Sequence, residues 1–256
     1  MLWLRGGEAR TNPYLRIVGI FLCAIVWEGV ARRVGNPVLV PSLERIAGAF
    51  VLWDRSGTFV ADCLESLPRA YLAIIFAIPP GIALGIALGM SRAVDSLLNA
   101  PVQFVRCLPP VALLPLFILW FGIDWWAKLG SAAFVCVFPV TISTVQAARA
   151  VDRQYRELAL DLRLSATRYL KQIVLPGTLP AIVPGIRLAA GTSFVMVFVS
   201  ELAGASAGLG YRIEIAQLAY QADLMLAALL ILGGAGLATD AAIVGLSRRM
   251  LHYAGR

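Results

Sequence analysis

Along the chain, apolar stretches close to the roughly 20 residues that cross a hydrocarbon core alternate with short arginine-bearing segments. They predict six membrane helices, over residues 15–31, 69–90, 101–121, 127–145, 179–202 and 224–246. The expected architecture is an all-α, polytopic transmembrane bundle. Residues 1–256 form one membrane domain, and a polar helical pair over 153–176 stands outside the apolar spans.

Small and helix-breaking residues give the runs distinct roles. The second carries Gly81, Gly85 and Gly89 at four-residue spacing, a smooth stripe that lets another helix approach closely. The third contains Pro109, Pro110 and Pro115. Each removes a backbone donor that lipid cannot replace, so this run is expected as one kinked, protein-covered helix. Trp120, Trp125 and Trp126 surround the short turn 122–126 at the depth of an aromatic belt. Between the first two runs, Pro41-Ser42 ahead of Leu43, Ile46, Ala47 and Phe50 reads as a capped amphipathic helix on the membrane surface. A second short amphipathic piece, 211–220, precedes the last run.

Composition agrees with the pattern. Of 256 residues, 59% are hydrophobic and 14% charged, with mean hydropathy +0.79, against about 25% charged in soluble domains. A water-soluble fold could not hide that much apolar surface. The net charge of +7 would suit nucleic acid, but the Lys and Arg residues cluster between runs as cytoplasmic loops require. The expected partner is therefore the lipid bilayer, with no nucleic acid.

Residues 15–31 lack a small-residue cleavage site and follow Arg5, Arg10 and Arg16, so they are expected as a helix of the mature chain. Arg248, Arg249 and Arg256 place the tail in the cytoplasm, and six crossings put both ends there. Against this, the segment 32–69 holds five arginines on the outer side, which the charge rule disfavours. Cys23, Cys63, Cys107 and Cys136 are widely separated and form no CxxC, so neither a disulfide framework nor a metal site is expected.

The longest polar segment, 146–176, sets Arg149, Arg153, Arg156, Arg163, Arg168 and Lys171 against Asp152, Glu157 and Asp161. It divides into two short helical halves around 162–165, with Ser165 placed as N-cap of the second. Tyr155, Leu158, Leu162 and Leu164 among the charges suit docking into a groove on another protein. The plainer reading is a solvated amphipathic loop.

Glu157-Leu158-Ala159, with Ile173-Val174-Leu175-Pro176 at the matching distance, resembles the EAA loop of ATP-binding-cassette importer permeases. The family pattern is EAA, three residues, Gly, nine residues, I-x-L-P. Leu158 replaces the middle alanine. Arg163 stands where the family has a glycine, which would be the left-handed residue ending the first half-helix. Segments 106–122 and 200–211 and the Pro41-Ser42 pair resemble the nitrate, sulfonate, taurine and bicarbonate branch, so the likeness covers roughly residues 15–253.

That resemblance implies a permease subunit in the bacterial inner membrane, working by alternating access. Two permease chains, expected as a homodimer, would sit above two ATPase chains, with a periplasmic or lipid-anchored solute-binding protein delivering a small oxyanion or sulfonate. It implies that Glu157, Leu158, Ala159, Arg163, Ser165, Ile173, Leu175 and Pro176 couple the permease to the ATPase. The sequence has no GxxxxGK[ST], and its only lysines, Lys128 and Lys171, follow no glycine loop. ATP is therefore expected on the partner subunit, with no cofactor, metal or catalytic residue in this chain.

Ionisable groups inside the runs are functional candidates because their burial in hydrocarbon is expensive. Arg106, Arg187, Ser200 and Glu201 are candidates for the translocation pathway, and Glu28 and Asp240 are further intramembrane charges. The competing reading has Arg106 and Arg187 snorkelling at helix ends and Glu201 paired with a neighbouring helix or backbone. A secondary transporter or channel is the transport alternative, although no inverted repeat is evident.

Gly204-Ala-Ser-Ala-Gly208 fits the GxSxG of serine hydrolases, which makes an intramembrane serine hydrolase the remote alternative. Its nucleophile would need a base, and the only histidine, His252, lies at the other end of the last run, about 30 Å of bilayer away. Gly208 and Gly210 are better read as flexible backbone of the outer loop. Gly233, Gly234 and Gly236 lie inside an apolar run with no preceding strand and read as helix packing, not as a dinucleotide loop.

Overall fold

The computed structural model describes residues 13–151 and 153–250. Arg5, Arg10, Asp152, His252 and Arg256 lie outside the described residues. The described chain forms α1 (Pro13–Val34), α2 (Leu43–Arg55), α3 (Thr58–Met90), α4 (Arg92–Cys107), α5 (Pro110–Phe121) and α6 (Trp125–Arg149). Then come α7 (Arg153–Asp161), α8 (Ala166–Tyr169), α9 (Leu175–Leu202), α10 (Leu209–Leu218) and α11 (Ala222–Met250), with a π-helical turn, Leu170–Val174, joining α8 to α9.

Four helical stretches are long and apolar enough to cross a membrane: Thr58–Met90, Trp125–Arg149, Ala166–Leu202 and Ala222–Arg249. A fifth stretch passes the same test only when α4 and α5 are taken together, and these two meet at 98°. This corrects the expectation of one kinked helix over 101–121. Leu108 precedes a proline, which biases it away from the helical region; Leu108 and Pro109 are both extended, with ψ of 135° and 123°. Pro110 then opens α5 at a position where its missing N–H goes unneeded.

The second span starts eleven residues earlier than expected, at Thr58, because polar residues at its start are buried rather than solvated. The fifth reaches back to Ala166 through the π turn. There the Leu175 N–H bonds to the Leu170 carbonyl, and Pro176 brings no donor of its own.

Helices α3, α6 and α9 form the centre. The glycine stripe is the reason α3 and α6 lie so close. A Cβ at Gly81 would stand 2.7 Å from Val140 Cβ, one at Gly85 2.8 Å from the Thr141 carbonyl oxygen, and one at Gly89 2.7 Å from Ala148 Cβ. On α9, Gly185 meets Ser143 and the Pro139 carbonyl of α6 in the same way. Hydroxyl and thiol groups complete the seams. Ser193 donates to the Ala70 carbonyl at 2.7 Å and Cys136 to the Ala189 carbonyl at 3.2 Å. Such bonds are the usual polar cement of membrane bundles.

Helix α1 lies at the periphery, with Ile17, Val18, Ile20, Phe21, Leu22, Ile25 and Val26 exposed. It is tied to the entry of α2 by Trp27 Nε1 donating to the Pro41 carbonyl at 3.0 Å and by the Leu43 N–H donating to Glu28 at 3.0 Å. Ser42 caps α2, accepting from the Arg45 N–H. Instead of resting on lipid alone, α2 packs against α3 and α11 and buries Ile46 and Trp53.

Candidate functional site

At one end of the bundle the chain leaves α6 and turns back through α7 and α8. Helix α7 stops in a Schellman turn. The Leu164 N–H bonds to the Ala159 carbonyl at 2.9 Å, the Arg163 N–H bonds to the Leu160 carbonyl at 3.0 Å, and Arg163 itself is left-handed, with φ +48°. The sequence motif puts a glycine at this turn, and the turn is made here with an arginine. Ser165 then caps α8, its hydroxyl accepting from the Arg168 N–H.

The two halves therefore project as a bent pair. Ala159 is buried, whereas Tyr155, Leu158 and Leu162 are each at least half exposed. These three lie at i, i+3 and i+7, one face of a helix. Leu158 thus points away from the bundle, which explains why a leucine is accommodated where the motif has alanine. Glu157, Arg163 and Ser165 are exposed, and Ile173, Leu175 and Pro176 are half-buried at the root of α9. Behind the pair a cleft of about 590 Å³ is lined by Gly89, Ala148, Arg149, Ala159, Leu164 and Tyr169. Arg149 is held to Asp95 of α4 at 2.7 Å.

The opposite end of the bundle holds a buried charge network. Asp62, Ser66 and Arg69 follow one another on the inner face of α3, which continues as Ala73 and Ala77. Arg69 Nη1 donates to Glu201 Oε1 at 2.5 Å, and both side chains are almost wholly buried. Arg69 also pairs with Glu65. Ser66 Oγ lies 2.8 Å from Glu201 and accepts the Leu209 N–H at 2.8 Å. The Gly210 N–H donates to Glu201 Oε2 at 2.8 Å and the Gly208 N–H to Asp62 Oδ1 at 3.0 Å. Asp62 further accepts from Arg212 and from Trp53 Nε1.

The two carboxylates of Asp62 and Glu201 thus occupy the N-terminus of α10, where free N–H groups and the helix dipole favour negative charge. Gly208 and Gly210 are there for contact, not flexibility. A Cβ on either would come within 2.7 Å of Glu201, and Gly208 has φ +121°. The arginine excess in 32–69 is also partly accounted for, since Arg69 is an internal counter-ion and Arg32 pairs with Glu28.

The pathway candidates separate. Ser200 and Glu201 are fully buried, and Glu201 is paired internally with a neighbouring helix and backbone. Arg106 is exposed in the last turn of α4. Arg187 forms a two-pronged pair with Asp240 of α11, at 2.6 and 2.8 Å, and both remain substantially exposed at 45% and 36%. Ser206, the serine of the GxSxG match, is exposed in a loop, and His252 lies outside the described residues. Sequence reasoning missed Asp62, Ser66, Arg69 and Arg212. The available signal was the i, i+4, i+7 spacing of the first three, in phase with the glycine stripe.

Comparison with known proteins agrees with this architecture. Residues 81–252 match the family described as "Binding-protein-dependent transport system inner membrane component". The putative aliphatic sulfonates transport permease protein SsuC of Escherichia coli (strain K12) is 33% identical, over 95% of this chain and 92% of its own. Its Bacillus subtilis (strain 168) namesake is 31% identical, over 92% and 87%. The taurine transport system permease protein TauC of E. coli is 28% identical, over 91% and 87%. Among solved structures, an inward-facing MetNI methionine ABC transporter superposes with TM-score 0.66 at 17% identity, covering 79% of this chain and 99% of that one, which is a likeness of fold. With a family model matched over more than half its length and full-length relatives above 30% identity, the chain belongs to the inner membrane components of binding-protein-dependent transport systems.

Proposed function

We propose that the chain is the permease subunit of an ATP-binding-cassette importer for a small sulfonate or related oxyanion. In this reading α1 supplies the sixth span, the α7–α8 end faces the cytoplasm, and two permease chains pair above two ATPase subunits. A solute-binding protein delivers cargo at the α10 end. The observation that carries the proposal is the bent pair α7–α8. It holds an exposed apolar face of Tyr155, Leu158 and Leu162 outward, while the Schellman turn at Arg163 fixes the bend between its two halves.

Mechanically, such a pair acts as a lever. A partner that grips Leu158 and Leu162 pushes on Ala159 and Leu164, and through the π turn 170–174 on α9, the helix packed against both α3 and α6. Closure of an ATPase dimer would then be transmitted as a rigid-body rotation of the bundle. Energy comes from ATP bound to the partner. The choice of cargo is supported by the names of the SsuC relatives.

Affinity copurification from the native membrane tests the proposal. Recovery of a stoichiometric ATPase, together with uptake that requires a separate solute-binding protein, is the expected result. A chain that purifies alone and still transports would instead be a secondary carrier.

A further inference from the structure

Arg187 and Asp240 sit where charges are costly. With about 1.5 Å of rise per residue, Arg187 lies about 22 Å from the Leu202 end of α9, and Asp240 about 27 Å from the Ala222 end of α11. Both positions fall within a hydrocarbon core of roughly 30 Å, in the half nearer the α7–α8 end. The guanidinium does not snorkel toward a helix end. It turns sideways and is held by both oxygens of Asp240.

The surface around the pair differs from the lipid-facing surface of α1, which is built of Ile, Val, Phe and Leu. On α9 the exposed positions about Arg187 are Ala181, Pro184, Leu188 and Gly191, and a Cβ on Gly191 would meet nothing within 4 Å. Polar groups continue behind the pair: Thr239 is within 3.4 Å of the Tyr71 hydroxyl. Small side chains on α9 flank the exposed ion pair, beside Leu188 and Leu237, which are 63% and 72% exposed, and paired charges within a membrane characteristically face a water-filled pathway rather than acyl chains.

Resting on the importer reading, we propose that Arg187 is the contact for anionic solute in the translocation pathway and that Asp240 is its built-in competitor. A bare guanidinium in a low-dielectric pathway would trap a sulfonate or oxyanion. A carboxylate already seated on the same two donors must be displaced first, which weakens binding enough for release. Displacement exchanges one two-pronged anion for another and breaks no covalent bond.

The test uses water-soluble thiol reagents on the intact transporter, in membranes, with the four native cysteines replaced. Gly191→Cys places a thiol one turn from Arg187 and leaves the pair intact. It should react faster with a methanethiosulfonate carrying a sulfonate than with its trimethylammonium analogue, by about tenfold once intrinsic reactivity is corrected for, the range expected of electrostatic focusing. Adding Asp240→Asn should increase that preference, and adding Arg187→Gln should abolish it. Asp240→Cys gives an independent reading at the pair itself, with the same preference. Protection of both thiols from both reagents would place the pair against lipid or a second chain and overturn the proposal, as would a charge preference unchanged by Arg187→Gln. None of these readings depends on ATPase copurification, so failure of the importer assignment is recognised separately.

Discussion

Arg69 and Glu201 are separated by 132 positions in sequence and meet at 2.5 Å inside the bundle, both almost completely shielded from solvent. Their pairing locks the start of α3 to the end of α9, and Glu201 passes the constraint to α10 through the Gly210 N–H. Removing one partner of a buried ion pair strands the other charge and typically costs about 3–5 kcal/mol. Arg69→Met and Glu201→Leu should therefore each lower the melting temperature of the purified complex sharply. Unchanged melting of either would show that this network does not hold the α10 end of the bundle together.

The glycine stripe gives a contrast within one residue type. At Gly85 an added Cβ would lie 2.8 Å from the Thr141 carbonyl oxygen, a backbone atom that cannot move aside, so Gly85→Val forces α3 and α6 apart. Overpacking of this kind costs about 1–3 kcal/mol or more. Gly233 in α11 has nothing within 4 Å of its added Cβ, and Gly233→Ala should be neutral or stabilising by about 0.5–1 kcal/mol. Thermal denaturation of the two variants side by side checks the ranking.

Much of this architecture was legible in the sequence because membrane spans announce themselves by length and hydropathy. The Gly81, Gly85 and Gly89 spacing pointed to the α3–α6 seam for a local reason, four residues per near-turn. Ser42 and Ser165 were legible as caps for the same reason. The break at Leu108–Pro109 was not, since a Pro-Pro pair can either kink a helix or end it, and what surrounds it decides. The partners of Glu201 were illegible because Arg69 and Ser66 approach it only through tertiary packing. Gly208 and Gly210 looked like flexible backbone because a glycine required for close approach and one required for bending are identical in sequence.

Arg163 carries a conformational strain that glycine would not. A non-glycine residue in the left-handed region costs about 1 kcal/mol, and Arg163 has φ +48° at the end of α7. Arg163→Gly should keep the turn formed by the Leu164 and Arg163 N–H groups and stabilise it by about that amount. Slower hydrogen exchange at the Leu164 amide, with transport retained, is the expected measurement. Loss of subunit assembly would show instead that the guanidinium has acquired a contact of its own.

The docking face of α7 yields the most direct test of the lever. Leu158 and Leu162 are exposed at 50% and 62% and stack one turn apart, so neither contributes to the internal core of this chain. Replacing both with Asp leaves Ala159, the Schellman turn and the Ser165 cap intact, and the variant should insert into the membrane and melt as the parent does. If the face is what the ATPase grips, two buried apolar anchors worth about 1.5–3 kcal/mol each are lost. Together they would reduce ATPase recovery in copurification by roughly two orders of magnitude or more. Glu157→Lys, on the same exposed helix, reverses a charge without removing apolar area, so it should leave the complex partly assembled but uncouple ATP hydrolysis from uptake. Full transport by the Leu158→Asp/Leu162→Asp variant would place the ATPase contact elsewhere on the chain.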